Sequence, residues 1–444
     1  MKHIYFTTKT SPHFTPASRC LPCRVGILVL MTFGTMINYL HRIVLGIAAP
    51  AIAQDFQIDE TMMGVVFAAF SWTYAMAQIP GGACLDRFGT KFTYFISVTI
   101  WSLFTTLHAS AVGLKSLLFY RFGLGLAQAP CFPANARILS AWFPRHERAR
   151  ATAIFTVGEF ISIACFSPLL FWILIEMGWR SLFFIVGVAG LLFSILWHRV
   201  YSDPCPVISE VKTEDHGLHL EKKISSQNYS TKPFSRAEVL KLLQCRQVLG
   251  MSLGGFSGNT VLIFFLTWFP TYLATEHHME WIQTGFFAIF PFLAAAVGVM
   301  VGGSLSDYLL ARNKPANVAR KLPILLGLLL ASNIMWANYT ENNSLVIVIL
   351  SIAFFGQGMS ALGWTLVADI APRNLVGLTG GICNFSSNIA GIATPIVIGV
   401  IFSKTGSFHY ALMYVSIMAI LGLCSYLFII GDIKRVELGS HAEQ

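Results

Sequence analysis

Gly81-Gly82-Ala83-Cys84-Leu85-Asp86-Arg87-Phe88-Gly89-Thr90-Lys91 closes a long apolar run with a glycine pair, an adjacent acid and base, and a third glycine. The same order returns 221 positions later as Gly302-Gly303-Ser304-Leu305-Ser306-Asp307, with Arg312 following. Each copy ends the second apolar stretch of its own half of the chain, so the sequence reads as a tandem repeat of parallel topology. Small residues let helices approach closely in lipid, where no hydrophobic force drives them together. An aspartate beside them meets a helix N-terminus or a cation across the loop. Asp86, Arg87 and Asp307 are therefore expected to act as conformational latches, made when the opposite end opens outward and broken in the other state, without touching a ligand.

Hydropathy sets the frame around this motif. Of 444 residues, 55% are hydrophobic and 11% charged, too apolar a balance for a chain that keeps its whole surface in water. A helix needs about 20 apolar residues to cross the ~30 Å hydrocarbon layer, because its backbone polar groups must be satisfied internally. Twelve such segments fit, at 25–52, 60–84, 92–112, 114–141, 149–174, 179–199, 247–274, 281–305, 321–338, 343–370, 375–402 and 409–431. The predicted fold class is an all-α membrane protein with twelve transmembrane helices in two pseudo-symmetric six-helix bundles. Its expected divisions are an N-terminal segment 1–24, bundles 25–199 and 247–431, a linker 200–246 and a tail 432–444. Within the linker, Val239, Leu242 and Leu243 recur as on a short amphipathic helix between Phe234 and Gln247.

A net charge of +9 would suit nucleic acid, yet with the amino terminus inside, 25 of the 30 Lys and Arg fall on the cytoplasmic side. That is the positive-inside bias of a membrane protein, so no nucleic-acid partner is expected. The bilayer is the expected partner, the cell inner membrane the expected location, with both termini cytoplasmic and no cleaved leader. Nine cysteines show no spacing framework, and Cys20–Cys23 alone is a weak metal or redox signal. No metal or cofactor is expected. No nucleophile–base pair or phosphate loop is visible, so an enzyme is not expected either.

Ionisable residues at membrane depth are costly and mark pathways or sites. Here they are few. His41 and Arg42 lie mid-span in the first segment with Asn38 a turn back; Tyr74 and Gln78 share a face of the second; Arg121, Gly125 and Gln128 form a stripe on the fourth; Glu159 lies in the fifth with Ser162 beyond. The second half offers neutral groups: Asn259, Gln357, Ser360, Trp364, Asn384 and Asn388. Two guanidiniums and one carboxylate against amides favour a small organic anion, which Arg42 can hold bidentately. The plainer alternative is that Arg42 pairs with Glu159 to hold helices together, a poor source of stability once desolvation is counted. Trp364 either stacks on a ligand or packs. Asp369 and Arg373 read as gate residues, and His108, His277 and His278 as solvated residues near the outer surface.

Several strings carry a family resemblance: Asn38-Tyr39-Leu40-His41-Arg42, Ala48-Ala49-Pro50, Arg121-Phe-Gly-Leu-Gly through Ala129-Pro130-Cys-Phe-Pro133-Ala-Asn135-Ala-Arg137, Trp142-Phe143-Pro144, and Ala371-Pro372-Arg373-Asn374 through Asn384-Phe385, Asn388 and Pro395. With the Gly81–Lys91 loop, which matches the GxxxDRxGxK signature of the major facilitator superfamily, they resemble its anion:cation symporter family from about residue 25 to 430. That family includes bacterial sugar-acid carriers, with vesicular glutamate and sialic acid carriers as relatives, and moves organic anions driven by protons. The resemblance implies alternating-access import, with Arg42 as the carboxylate ligand, Tyr39, Tyr74 and Asn384 lining the site, and Arg121 as switch partner of a titrating acid. Gln128, Trp364 and Asn388 complete the expected substrate-binding set.

The chain departs from the family where coupling is concerned. The sugar-acid carriers have Asp at the position of His41 and Glu at that of Gln128, while Glu159 stands where they have Gln. The acid has in effect moved from the fourth helix to the fifth. Glu159 is therefore expected to carry the coupling proton, with His41 as a second titrating group or a hydrogen-bond donor to substrate. Competing expectations are an uncoupled facilitator or exchanger, for an organic acid or a polycarboxylate siderophore, and a membrane sensor that binds without transport. A monomer suffices for any of these.

Overall fold

A computed structural model describes residues 20–143, 145–203, 236–372 and 375–436. Most of the N-terminal segment, the linker body and Arg373 lie outside the described residues, as do the side chains of Cys20, Cys23, Asp86 and Trp364. The first half comprises α1 (Cys20–Phe56), α2 (Glu60–Phe88), α3 (Thr90–His108), α4 (Leu114–Gln128) continued by α5 (Cys131–Trp142), and α6 (Arg145–Val200). Gly178, at φ 79°, bends α6 into two spans. After α7 (Arg236–Gln244), the amphipathic helix expected at the end of the linker, come α8 (Arg246–Thr267) with α9 (Phe269–Glu276) and α10 (Trp281–Phe287) with α11 (Ile289–Ala311). Next are α12 (Ala316–Ser332) with a tight turn at Asn333–Tyr339, and α13 (Asn343–Ser360) with α14 (Gly363–Ile370). Last are α15 (Val376–Thr405) and α16 (His409–Cys424), the latter ending in a widened turn at Ser425–Ile429. These make the twelve spans.

Among the described residues, length and hydropathy alone pick out eight helices able to cross a membrane, α6 counted once. α3 escapes that criterion because Thr90, Thr93, Ser97, Ser102 and Thr105 line its buried face. The fourth span escapes because it breaks between α4 and α5, where Pro130 has no N–H to continue the ladder. Asp59 starts α2, its carboxylate accepting from Met62 N at 2.7 Å, a cap that contributes about 1 kcal/mol.

The halves meet along α2 with α15, α6 with α10 and α11, and α1 with α8 and α9. Close approach needs glycine there. A Cβ on Gly64 would lie 2.5 Å from the Pro395 carbonyl oxygen, on Gly399 2.5 Å from that of Glu60, and on Gly46 2.6 Å from that of Leu266. Pro50 and Pro270 explain the last contact, since each leaves a carbonyl four residues back, Gly46 and Leu266, without its helical donor. Rings fill the rest of the seam: Phe67 on Trp268 at 5.4 Å, Phe160 on Phe354 at 5.6 Å, and Phe171 on Trp281 at 6.1 Å between centroids. Most of these contacts lie toward the end carrying the Phe56–Asp59 turn, the end expected to face outward, so that end is closed. At the other end α5 packs mainly on α2, α3 and α6, and α14 on α8 and α15, each within its own half.

Candidate substrate-binding site

Arg42 is half-buried on α1, and its surroundings explain how a charge is kept at this depth. Its guanidinium carbon lies 4.8 Å from the ring centre of Tyr74, 4.9 Å from Phe70, 5.1 Å from Tyr39 and 5.9 Å from Phe132. Ring faces carry negative quadrupole density, each such contact contributing about 0.5–2 kcal/mol depending on desolvation. Arg42 Nε donates to Gln128 Oε1 at 3.0 Å, and Gln128 Nε2 reaches the Asn38 carbonyl at 3.5 Å. Nη2 is buried with no partner among the described residues. The pairing of Arg42 with Glu159 weighed above is not the arrangement found: no ion pair joins them within 4.0 Å. Instead the Tyr39 phenol faces the Glu159 carboxylate, and Glu159, 5% exposed, lies beside the seam because the next residue, Phe160, touches Phe354 of the other half.

Tyr74 leads across to the second half. One turn along α2, Gln78 Oε1 accepts from Asn384 Nδ2 of α15 at 2.6 Å, and Asn388 Nδ2 donates to Asn384 Oδ1 at 3.1 Å. The structure thus brings together Tyr39, Arg42, Tyr74, Gln128 and Glu159 in one half and links them through Gln78 to Asn384 and Asn388. Asn259 and Gln357 spend donors within their own half, on the Ser387 carbonyl at 2.6 Å and the Gly258 carbonyl at 3.5 Å.

Other candidates fall elsewhere. His41, next to Arg42 but about 100° around the helix, faces α3, its Nδ1 2.7 Å from Thr105 Oγ1. Arg121, 4% exposed, lies 5.5 Å from the Phe70 centroid, over the ring that Arg42 also contacts, and among the described residues no carboxylate lies within ion-pair distance of it, so the acid expected of a switch partner is not beside it. His108 corrects an expectation. It is 0% exposed, not solvated, because its ring stacks on Phe183 at 4.9 Å while Nδ1 bonds the Phe104 carbonyl at 2.7 Å. His277 is half-buried against the Tyr272 hydroxyl at 2.8 Å, and His278 is exposed. Arg87 and Asp307 are exposed at the far end, and Asp369 pairs with Arg320 at 3.3 Å. Phe70 and Phe132 are the site residues that sequence reasoning missed; their period-3.6 placement on α2 and α5 looks like ordinary lipid or core packing.

Residues 31–395 match the Major Facilitator Superfamily. The chain belongs to that superfamily. As a superfamily member it is a multi-pass membrane transporter and not an enzyme. It is 42% identical over 436 residues to a protein of Escherichia coli (strain K12) described as a probable galactarate/D-glucarate transporter, GarP, covering 94% of this chain and 96% of the relative. It is 39% identical over 414 residues to the D-galactonate transporter of Escherichia coli O6:H1, covering 92% and 96%. The fold is similar to that of a solved bacterial homologue of the human lysosomal transporter Spinster, in an inward-facing and occupied conformation, with a TM-score of 0.70 at 17% identity over 92% of this chain and 97% of that one.

Proposed function

We propose that this transporter imports a sugar-acid anion through the inner membrane by alternating access, both termini cytoplasmic, with the substrate carboxylate bound by Arg42 and the coupling proton carried by Glu159. The observation that carries the reading is the Arg42 guanidinium, held by rings and one amide, so that its fork keeps a face for a bidentate carboxylate. The names of the relatives support the substrate class, since galactarate, D-glucarate and D-galactonate are all polyhydroxy carboxylates. Asn384 and Asn388 are suited to the hydroxyls, Trp364 to the substrate's flank, and Asp86, Arg87 and Asp307 to latching the end away from the closed seam. His41 has no part in holding substrate in this reading, because it faces α3.

Proteoliposomes holding the purified protein test it with labelled galactarate, D-glucarate and D-galactonate, with glucose as the uncharged control. Uptake of at least one acid and not of glucose, abolished by Arg42→Ala, is the expected result. Binding without flux would turn the protein into a sensor, and flux indifferent to an imposed proton gradient would make it a facilitator or exchanger.

A further inference from the structure

Within the first half, from the α3-facing side of α1 at His41 to Arg121, which shares the Phe70 ring with Arg42, buried polar atoms gather without partners among the described residues. His108 and His41 fix their own tautomers. The Phe104 carbonyl only accepts, so the His108 Nδ1 facing it carries the proton and Nε2 is a bare acceptor. The Thr105 hydroxyl lies 3.0 Å from the Trp101 carbonyl; with its one proton donated there, it accepts from His41 Nδ1 and leaves His41 Nε2 bare as well. Neither Nε2 meets a donor among the described residues. Beside them stand donors that meet no acceptor among the described residues: Arg121 Nε and Nη1, Ser102 Oγ and Trp101 Nε1. Arg121 lies in electrostatic reach of His108. Ser102 Oγ and His41 Nε2 converge on one point, 2.2 and 2.6 Å from where a Cβ on Gly190 would sit. Among charged and titratable groups, Arg121, Tyr120 and the two imidazoles face this seam from α1, α3 and α4, and Arg42 lies in electrostatic reach of Arg121, both guanidiniums sharing the Phe70 ring.

Buried polar groups are nearly always satisfied by protein or by ordered water. An anion would satisfy the donors and leave both Nε2 lone pairs bare; a cation would do the reverse. Water serves both. Asn38, a turn before His41, has both its side-chain amide atoms without partners among the described residues, and its backbone carbonyl accepts from the Gln128 amide that also holds Arg42. The seam therefore runs from the outward-expected end of α3 to the edge of the substrate site.

We propose that this seam holds a file of bound waters linking His108 and Arg121 to His41 and Asn38, and that the file is the proton's route from the outward-expected end to the Arg42–Glu159 site. The proton passes from water to water, the two Nε2 lone pairs accepting it and returning it to the next water while each Nδ1–H stays on its carbonyl or hydroxyl. The route, though not the waters, rests on the proton-coupled reading above.

Hydroxyl-radical footprinting of the full chain in nanodiscs tests the waters without any substrate. Trp101 and Trp197 are both 0% exposed, but the Trp197 indole is satisfied by the Lys91 carbonyl at 3.3 Å. Oxidation of Trp101 and His108 at several times the rate of Trp197 is expected; equal rates would overturn the file. His108→Phe, which keeps the stack on Phe183, and the smaller change Ser102→Ala test the route. Substrate-driven proton uptake in proteoliposomes should fall about tenfold in the first and severalfold in the second, while exchange of labelled for unlabelled substrate stays within twofold. Undiminished proton uptake in well-folded variants overturns the route. Substrate uptake by the unaltered protein with no proton movement overturns the coupled reading and the route with it, while the footprint still decides the waters.

Discussion

Asn384 of α15 donates its side-chain amide to Gln78 of α2 at 2.6 Å, a hydrogen bond that crosses from one half of the transporter to the other. Both side chains are partly buried, and the Asn388 amide extends the bond into a short chain on α15. A substrate whose hydroxyls engage Asn384 competes with Gln78 for it.

Gln78→Leu removes the cross-half acceptor and keeps the volume. A hydrogen bond of this kind contributes about 1 kcal/mol net, so the balance between the two end states should move about fivefold away from the closed seam. The accessibility of a cysteine in place of Ser71, a buried α2 residue whose hydroxyl lies against Gly391 of α15, measured by reagent labelling, reads this out. Labelling identical to that of the parent would show that the bond carries no weight in the equilibrium.

Arg42→Lys keeps the charge and the ring contacts but loses the planar fork. Substrate affinity should drop at least tenfold while the thermal midpoint of the ligand-free protein changes little. Isothermal titration with the transported acid makes the measurement, and an unchanged Kd would place the carboxylate elsewhere.

Glu159→Gln keeps the hydrogen-bonding shape that the Tyr39 phenol faces and removes the ionisable proton. Accumulation driven by a proton gradient should be lost while counterflow exchange persists. Accumulation equal to that of the unaltered protein would take Glu159 out of the coupling step.

The architecture was legible because lipid imposes it: twelve apolar stretches, one repeated glycine–acid loop and a lopsided distribution of Lys and Arg leave few other folds. Arg42 and Glu159 were singled out by the same logic, few ionisable groups having few places to go, whereas Tyr39 and Tyr74 entered the expected lining through the family resemblance. What the sequence could not convey is angular. His41 and Arg42 are adjacent in sequence, and one residue of helical rotation sends the first toward α3 and the second toward α2 and α4. His108 looked like a rim residue because it ends α3, whereas its ring folds back under Phe183. The internal breaks at Ala129–Pro130 and Trp268 were hidden by hydropathy, which runs through them unchanged although the prolines were in plain view.

Gly399→Ala introduces a methyl group against the Glu60 carbonyl oxygen at 2.5 Å, with the Glu60 backbone and the buried Trp268 ring, at 3.3 Å, as the neighbours that would have to yield. Overpacking of this sort costs about 1–3 kcal/mol. The closed seam should be disfavoured by at least fivefold and transport slowed, while Gly303→Ala, where a Cβ meets nothing within 4 Å, should leave both near normal. Uptake rates of the two variants, normalised to protein in the membrane, make the comparison; equal slowing would mean that the crossing of α2 and α15 tolerates a wider separation.

Pro50, Pro270 and Pro395 each remove one rung from a helix at the level where the halves touch. A helix missing a rung flexes more readily there than a continuous one. The lengths of α1, α9 and α15 on the closed side can therefore tilt on these soft points while the lengths that carry Arg42 and Asn384 hold their spacing, so on the proposed reading the gate and the grip are mechanically separable.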